Sequence, residues 1–587
     1  MLTEREKEFL ARLDRETLMS HLRNIASFNR RSDGEGERQA RGYILERLKQ
    51  EGISCGESSE PGILSFGREA SVRTHPSKSF PQGQTFTAKS WNFSVSADSR
   101  PATGTAVVLT EGPSGILDLL SSMKPAGQNR DLAGRVVLSR FFSPPRILDA
   151  AARGAVAFVI CWPRGDEKEI HHSGAVMWWG TPNPEESAWA PSIPVVGVNG
   201  IDGNRLIEAV EKEGEGEIVL EVSSDCREAV TPVYRVEAEI PSTEGDPHFI
   251  LLGAHLDSKY LGATDNATGA ALLLSLAEAV SRLKYRKWGV KMCWWSGHEF
   301  GRYTGSSIYA RDCFDELEEY CIACANADMP GMKDANNWTS ITAGPDLFDL
   351  AAGAVLDVTG QKGVPSGRVR SWDQSFQNLG ISTLFAWSSL LAPDSPCRTG
   401  RGNMPWWWHT EADTLEFCDP DVFETDAKLY MTGLFRLIAS GEENKNQPFQ
   451  VEKLWKAVDE RLAQLQGELS GAADLSGVRE RLGEGLREWR KRERSPEESL
   501  RAVRLLNRMW YSARASFLQD WGDGSEFVPG LSEAASLLRS GISKTDVRKT
   551  TIVVNYAKTQ RNRLRMLAEG LKRLAAERPS VSTSPSG

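Results

Sequence analysis

The sequence predicts an α/β protein, with a mixed central sheet flanked by helices, an inserted smaller β/α unit and a C-terminal helical domain. Three observations carry this expectation. Residues 230–440 alternate apolar strand patterns with helical ones, residues 104–225 repeat that alternation on a smaller scale, and past Glu443 the pattern is almost purely helical. A chain of 587 residues is long enough for three or four such units at ~150 residues each. The divisions read as 1–103 (first part of the main unit), 104–228 (insert), 229–444 (remainder of the main unit), 445–578 (helical domain) and a 579–587 tail rich in Pro and Ser that predicts disorder.

Each element has a local reason. Leu18, Leu22 and Ile25, then Tyr43, Leu45 and Leu48, fall at helical spacing on either side of the polar turn Arg31 to Gly36. Residues 62–100 read as short strands broken by Pro and Gly, and a new pattern starts near Gly104. Inside the insert, strands at 135–138, 155–160 and 193–198 alternate with helices at 145–153 and 203–213. In the main unit the strand candidates are 248–256, 288–295, 320–325 and 381–386, with helices at 266–283 and 304–317. The terminal helices are placed at 450–467, 475–494, 497–518 and 546–577.

Composition removes several function classes. A net charge of −9 provides no basic field for a phosphate backbone, so nucleic acid is not an expected partner. The first residues, MLTEREKEFLARLDRE, lack the apolar core of a secretory signal, and the most apolar run, Ala267 to Val280, is short and carries Glu278. Nine cysteines, an odd number, fit buried thiols in a reducing compartment better than a disulfide framework. A cytoplasmic location without a membrane anchor is the expectation.

The chemistry concentrates in five short segments. Phe249 to Ser258 ends an apolar strand in His255, with Asp257 two residues on; the acid can orient the imidazole, or the histidine can simply find a structural partner. Asp265 stands in Gly262-Ala263-Thr264-Asp265-Asn266, where it can bridge two cations, or where it or Asn266 can cap the following helix. Glu299 in Ser296-Gly297-His298-Glu299-Phe300 and Asp328 in Asn326-Ala327-Asp328-Met329 each follow a strand, and His409 stands in Trp408-His409-Thr410-Glu411. In open α/β sheets such strand ends border the crevice where reactive groups gather. Two histidines with three carboxylates suit zinc and tolerate cobalt, manganese or iron. A shared carboxylate would hold two ions roughly 3.5–4 Å apart, close enough to activate one water between them.

In order and spacing, "GAHLDS…GATDNATG…SGHEFG…NADM…HTEADT" resembles the co-catalytic di-zinc exopeptidases, which include bacterial aminopeptidases and glutamate carboxypeptidase. The resemblance implies that His255 and Asp328 hold one ion, Glu299 and His409 the other, and Asp265 both. It further implies hydrolysis of an amide C–N bond in a peptide or peptide-like molecule by a metal-activated water, with His298 and Asp257 in catalytic roles. The insert resembles a protease-associated domain through "AGRVVLSR", "AAARGAVAFVI" and "SIPVVGVNGIDGNRLIEAV". The terminal helices loosely resemble those through which glutamate carboxypeptidase and the transferrin receptor dimerise, which implies a homodimer.

Two features depart from the family pattern. Where the family has Gly-Glu-Glu and uses the first glutamate as base, this chain has His298, which is a base, a metal ligand or a structural residue. Indoles also crowd the motifs: Trp406-Trp407-Trp408, Trp294-Trp295, and Trp178-Trp179 after His171-His172. Such residues either wall a pocket for flat, apolar or cationic groups or fill the core. Lys259, Arg302, Arg398 and Arg401 are candidates to hold a substrate carboxylate. These departures leave two rival readings, a changed reaction on a small aromatic compound and a non-catalytic, transferrin receptor-like binding protein.

Overall fold

The computed structural model describes residues 1–122, 131–367, 370–399, 404–439, 450–469, 471–521, 526–540 and 546–577. Arg401 and the 579–587 tail lie outside the described residues. Ten strands of three or more residues build the main sheet: β1 (Ser54–Thr74), β2 (Gln84–Ser90), β3 (Ala102–Val108), β4 (Arg135–Ser139), β5 (Ala157–Cys161), β6 (Val195–Val198), β7 (Val219–Ile240), β8 (Phe249–His255), β9 (Gly289–Trp295) and β10 (Cys321–Asn326). Their order is β1-β2-β6-β5-β4-β3-β7-β9-β8-β10, with the two-residue strand Ser382–Thr383 at the far edge.

Two long strands organise the chain. β1 pairs with β2 on one side and with β7 on the other, so β1-β2-β6-β5-β4-β3-β7 closes into a ring around a core of Val72, Val136, Val159 and Leu220. The other end of β7 runs antiparallel to β9 and into the main sheet. The boundary read near residue 228 therefore falls inside a continuous strand. The short strands expected over 62–100 are the second half of a 21-residue strand that begins at Ser54, followed by the short β2. Pro61 does not break it, because it faces Pro232 of β7 and the two missing N–H donors share one rung.

β9, β8 and β10 run parallel, and β8 is buried along its whole length between helix layers, as its unbroken apolar run requires. The helix Thr268–Ser281 is buried on nearly every side against this sheet, and the N-terminal helices Arg15–Ala26 and Glu35–Gln50 cover it. Each leucine it buries contributes ~1.5–3 kcal/mol. The expected strand 381–386 shrinks to Ser382–Thr383, because the chain turns away towards Trp387 after pairing with the end of β10.

The helical end has its own core, in which Trp455, Leu462, Leu506 and Leu564 meet. The helix expected over 497–518 stops at Tyr511, where Asp520 accepts from the backbone N–H groups of Ala513 and Arg514. An additional helix, Pro529–Arg539, fills the gap. No helix among the described residues is long and apolar enough to cross a membrane.

Candidate functional site

The carboxyl ends of three parallel strands bring the chemistry together. His255 is the last residue of β8, Glu299 lies just beyond β9, and Asp328 just beyond β10. Asp265 comes from the turn that opens the helix Thr268–Ser281, and His409 from a distant loop whose backbone at that residue is left-handed (φ 58°). All five are buried.

Their geometry is specific. Asp265 Oδ1 lies 3.0 Å from His255 Nε2, which also faces Asp328 Oδ1 at 3.5 Å. Asp265 Oδ2 lies 3.2 Å from His409 Nε2, which also faces Glu299 Oε1 at 3.0 Å. One carboxylate thus presents each of its oxygens to a different histidine and acid. A single imidazole N–H cannot donate well to two acids at once, whereas a cation can accept from all three atoms. The spacings also match the ~3.3 Å edge of a tetrahedron built on the ~2.0–2.1 Å bonds typical of zinc. Both oxygens of Asp328 and Oε1 of Glu299 are buried without a hydrogen-bond donor among the described residues, an arrangement a carboxylate tolerates when it faces a cation. The residues present fit a pair of divalent ions.

Charge within this cluster is balanced by protons. Burial works against the His255 imidazolium, but the charge of Asp328 and the contact with Asp265 hold its pKa well above the ordinary value. His409 is likewise opposed by burial and raised to about 9 by Glu299 and Asp265. Asp328 is raised, first by burial and then by the charge of Asp265. A cation bound by these atoms must displace the imidazole protons. In chelator-treated protein the raised His409 stabilises the fold fully below the unfolded value of ~6.5, and that contribution disappears as pH rises through about 9. The melting temperature of chelated protein is expected to fall between pH 6.5 and 9, while divalent-ion affinity rises over the same window with proton release. Calorimetric titration in buffers of different ionisation enthalpy checks this, and a metal affinity independent of pH would contradict it.

The supports around the five are as informative. Asp257 is fully buried, and its carboxylate does not border the cavity. His255 Nδ1 lies 2.9 Å from the backbone oxygen of Asp257, whereas the carboxylate is 3.7 Å away. The Asp257 side chain instead accepts from Ser32 Oγ (2.6 Å) and from the backbone N–H groups of His298 (3.2 Å) and Glu299 (2.9 Å). Through these contacts it fixes where the Gly-His-Glu turn leaves β9. Asn266, not Asp265, serves the helix start: its Oδ1 accepts from Gly269 and Met329 N–H, leaving the Asp265 carboxylate for the cluster.

Sequence reasoning missed four supports. Arg30, fully buried, donates to the carbonyls of Leu256, Leu261 and Gly262 and clamps the loop between His255 and Asp265. Asp413 accepts from Thr264 N–H, Thr264 Oγ1 and Asp265 N–H; burial, with the charge of Asp265 adding, pushes its pKa up to about 7. From the insert, His171 packs its ring on Trp162 at 3.8 Å and places Nδ1 2.6 Å from the Trp408 carbonyl, while His172 N–H donates to the His409 carbonyl. The fourth is Asp373. Its Oδ2 lies 2.7 Å from His298 Nδ1, and its Oδ1 accepts from Ser306 Oγ at 2.5 Å. No motif marks Asp373, because it sits in a loop 75 residues beyond His298.

His298 itself borders the cavity and stacks on His255, with ring centroids 3.7 Å apart and planes within 13°. Burial and the neighbouring His255 oppose its charge, but Asp373 outweighs them and its pKa is raised. The indoles named from sequence mostly do not reach the cavity. Trp294 and Trp295 are core, Trp407 stacks on Phe417, and Trp178 and Trp179 lie behind the wall; Trp408 alone of that set lines it, joined by Trp91, Trp372 and Trp387. Lys259 is buried with its ammonium 3.7 Å over the Phe300 ring, burial lowers its pKa to about 8, and it does not border the cavity. Arg398 does not border it either, whereas Arg302 does.

Comparison with known proteins places these observations. The profile of peptidase family M28 matches residues 235–432. A probable glutamate carboxypeptidase of Arabidopsis thaliana is 24% identical over 34% of this chain and 31% of its own length. One of Zea mays is 26% identical over 26% of this chain and 22% of its own. The chain thus matches about a third or less of the length of these curated relatives. Among solved structures, an aminopeptidase from Aneurinibacillus sp. strain AM-1 superposes with a TM-score of 0.55 at 21% identity, covering 74% of this chain and 97% of that one. BSAP, a zinc aminopeptidase from Bacillus subtilis, does so with a TM-score of 0.51 at 15% identity over 74% of this chain and 97% of its own. At that identity, the likeness speaks to the fold.

Proposed function

We propose, from the match of residues 235–432 to the profile of peptidase family M28, that this chain is a metal-dependent hydrolase of amide bonds in peptides or peptide-like molecules. The observation that carries this reading is the Asp265 carboxylate, whose two oxygens face two separate histidine–carboxylate pairs. His255 with Asp328 would hold one zinc ion, Glu299 with His409 a second, and Asp265 both. When bound, such a pair supplies Lewis-acid polarisation of the scissile carbonyl and lowers the pKa of water.

The chain's own residues do the rest. His298 moves the proton: Asp373 fixes Nδ1 as the protonated nitrogen, which leaves Nε2 to take a proton from the attacking water and return it to the leaving amine. Two nearby cations disfavour an imidazolium, and Asp373 is the countercharge that offsets this. Asp257 and Arg30 hold the turns that carry His298, Glu299 and Asp265 in register. The Ser306–Asp373 hydrogen bond keeps the carboxylate from swinging into the ligand group.

Metal analysis of purified protein beside an aminoacyl and acyl-glutamate dipeptide panel tests the reading. Two equivalents of zinc with turnover support it. Protein that binds no divalent ion, or that binds two and cleaves nothing, rejects it in favour of a binding protein. Self-association through the terminal helices belongs to the same proposal, supported by the likeness of those helices to the dimerising ones named above. A monomeric mass in light scattering would end that part.

A further inference from the structure

On the hydrolase reading above, we infer that the residue whose side chain enters the cavity beside the ligand cluster is aromatic. The cavity of about 410 Å³ has room for a bulky side chain next to an amide. Its acids are Asp265, Glu299 and Asp328, all members of the ligand cluster, so a basic side chain would find no carboxylate of its own. Its arginines are already engaged. Arg302 Nη1 donates to the Val176 carbonyl, and Arg370 donates to the carbonyls of Gln374 and Asp520 and to Gln519 Oε1 while lying 3.9 Å over the Trp179 ring. An acidic side chain would have to leave water for a wall of rings in which both guanidinium groups are already turned to carbonyl and amide oxygens of the protein.

What the wall does offer is ring faces and edges, from separate stretches of chain. Trp408 stacks on the ligand His409 at 3.6 Å and 20°, which puts an indole directly beside the ligand cluster. Tyr303 stands perpendicular to His298 at 4.7 Å, its other side stacked on Trp179 at 4.0 Å. Trp372 and Trp387 meet edge to face at 4.3 Å and 68°. From the insert, Phe142 borders the cavity and is held by Trp91 at 5.2 Å. Aromatic pairs prefer such offset and edge-to-face arrangements, and rings already braced against neighbours lose little freedom on meeting another. An aliphatic side chain would gain the burial without the ring–ring term.

The test is hydrolysis of dipeptides X-Ala with X = Phe, Tyr, Trp, Leu, Lys or Glu, by the metal-loaded full chain. The expected kcat/KM for the aromatic members exceeds that for Leu by about tenfold and that for Glu or Lys by about a hundredfold. Trp387→Leu and Trp372→Leu, each checked for an unchanged circular dichroism spectrum, should shrink the Phe-to-Leu ratio at least threefold, chiefly through KM. A best substrate with Leu, Glu or Lys, or a ratio unmoved in both variants, overturns the inference. If no X-Ala dipeptide is cleaved, the wider panel named above decides the hydrolase reading separately. Binding then decides the pocket: phenylalaninamide should bind at least tenfold more tightly than leucinamide or glutamic acid amide by calorimetry, and equal affinities overturn it.

Discussion

Asp265→Ala is expected to abolish hydrolysis, with kcat/KM falling by about 10³-fold or more. The magnitude follows from several kcal/mol of Lewis-acid stabilisation at about 1.4 kcal/mol per decade of rate. The loss should be larger than for any other single ligand, because Asp265 is the only one of the five that meets both histidines, at 3.0 and 3.2 Å. Metal content by mass spectrometry should drop below one equivalent, since each half of the cluster loses an oxygen at the same time. Glu299→Ala removes a ligand from one half only, and should leave about one equivalent in place. Two retained equivalents in Asp265→Ala would show that the carboxylate bridges nothing.

The second large effect concerns His298. His298→Ala should lower kcat by about 10²–10⁴-fold, the range for loss of a general acid–base group, with zinc stoichiometry unchanged. If stoichiometry falls as well, His298 is a metal ligand, as its proximity to His255 and Asp328 permits. The glutamate that the family pattern carries at this position should not restore activity alone. His298→Glu sets a second carboxylate against Asp373, where the imidazole nitrogen now lies 2.7 Å away, and two acids at that distance share one proton. His298→Glu combined with Asp373→Asn removes the clash and should recover at least tenfold over His298→Glu. Asp373→Asn by itself should lower kcat and leave KM nearly unchanged, since the amide can no longer hold a charged imidazole. Additive losses in the double variant would break the proposed link between the two side chains.

Much of the fold was legible because it is local. The apolar run ending in His255, and the one ending in Trp295 that only Lys291 interrupts, are buried parallel strands, and the leucine-rich run 268–281 is a helix buried on nearly every side, as pattern alone suggests. What failed was long range. Pro61 reads as a strand breaker until Pro232 is seen opposite it, and that pairing joins residues far apart in sequence. The candidate site divides the same way. The five ligand candidates stand at strand ends or in motif loops, so the residues themselves mark them. Asp373 and Arg30 act from loops outside the motif segments, where nothing in their neighbours distinguishes them from ordinary charged residues, and Asp413, though within the last motif, shows its partners Thr264 and Asp265 only in the fold. The tryptophan pairs read equally as wall or core from sequence, and the pleat decides for Trp294-Trp295: in a strand covered on both faces, one ring points into each layer.

β1 and β7 each belong to two structures at once, the closed ring and the open sheet. Any swing of one against the other would have to tear a hydrogen-bonded ladder that runs from Ser54↔Glu239 to Thr74↔Leu220. The ladder thus ties the ring, whose loops bring Trp91 and Phe142 to the cavity, to the sheet whose strand ends carry the ligand cluster, so both sides of the cavity hang on one continuous backbone frame.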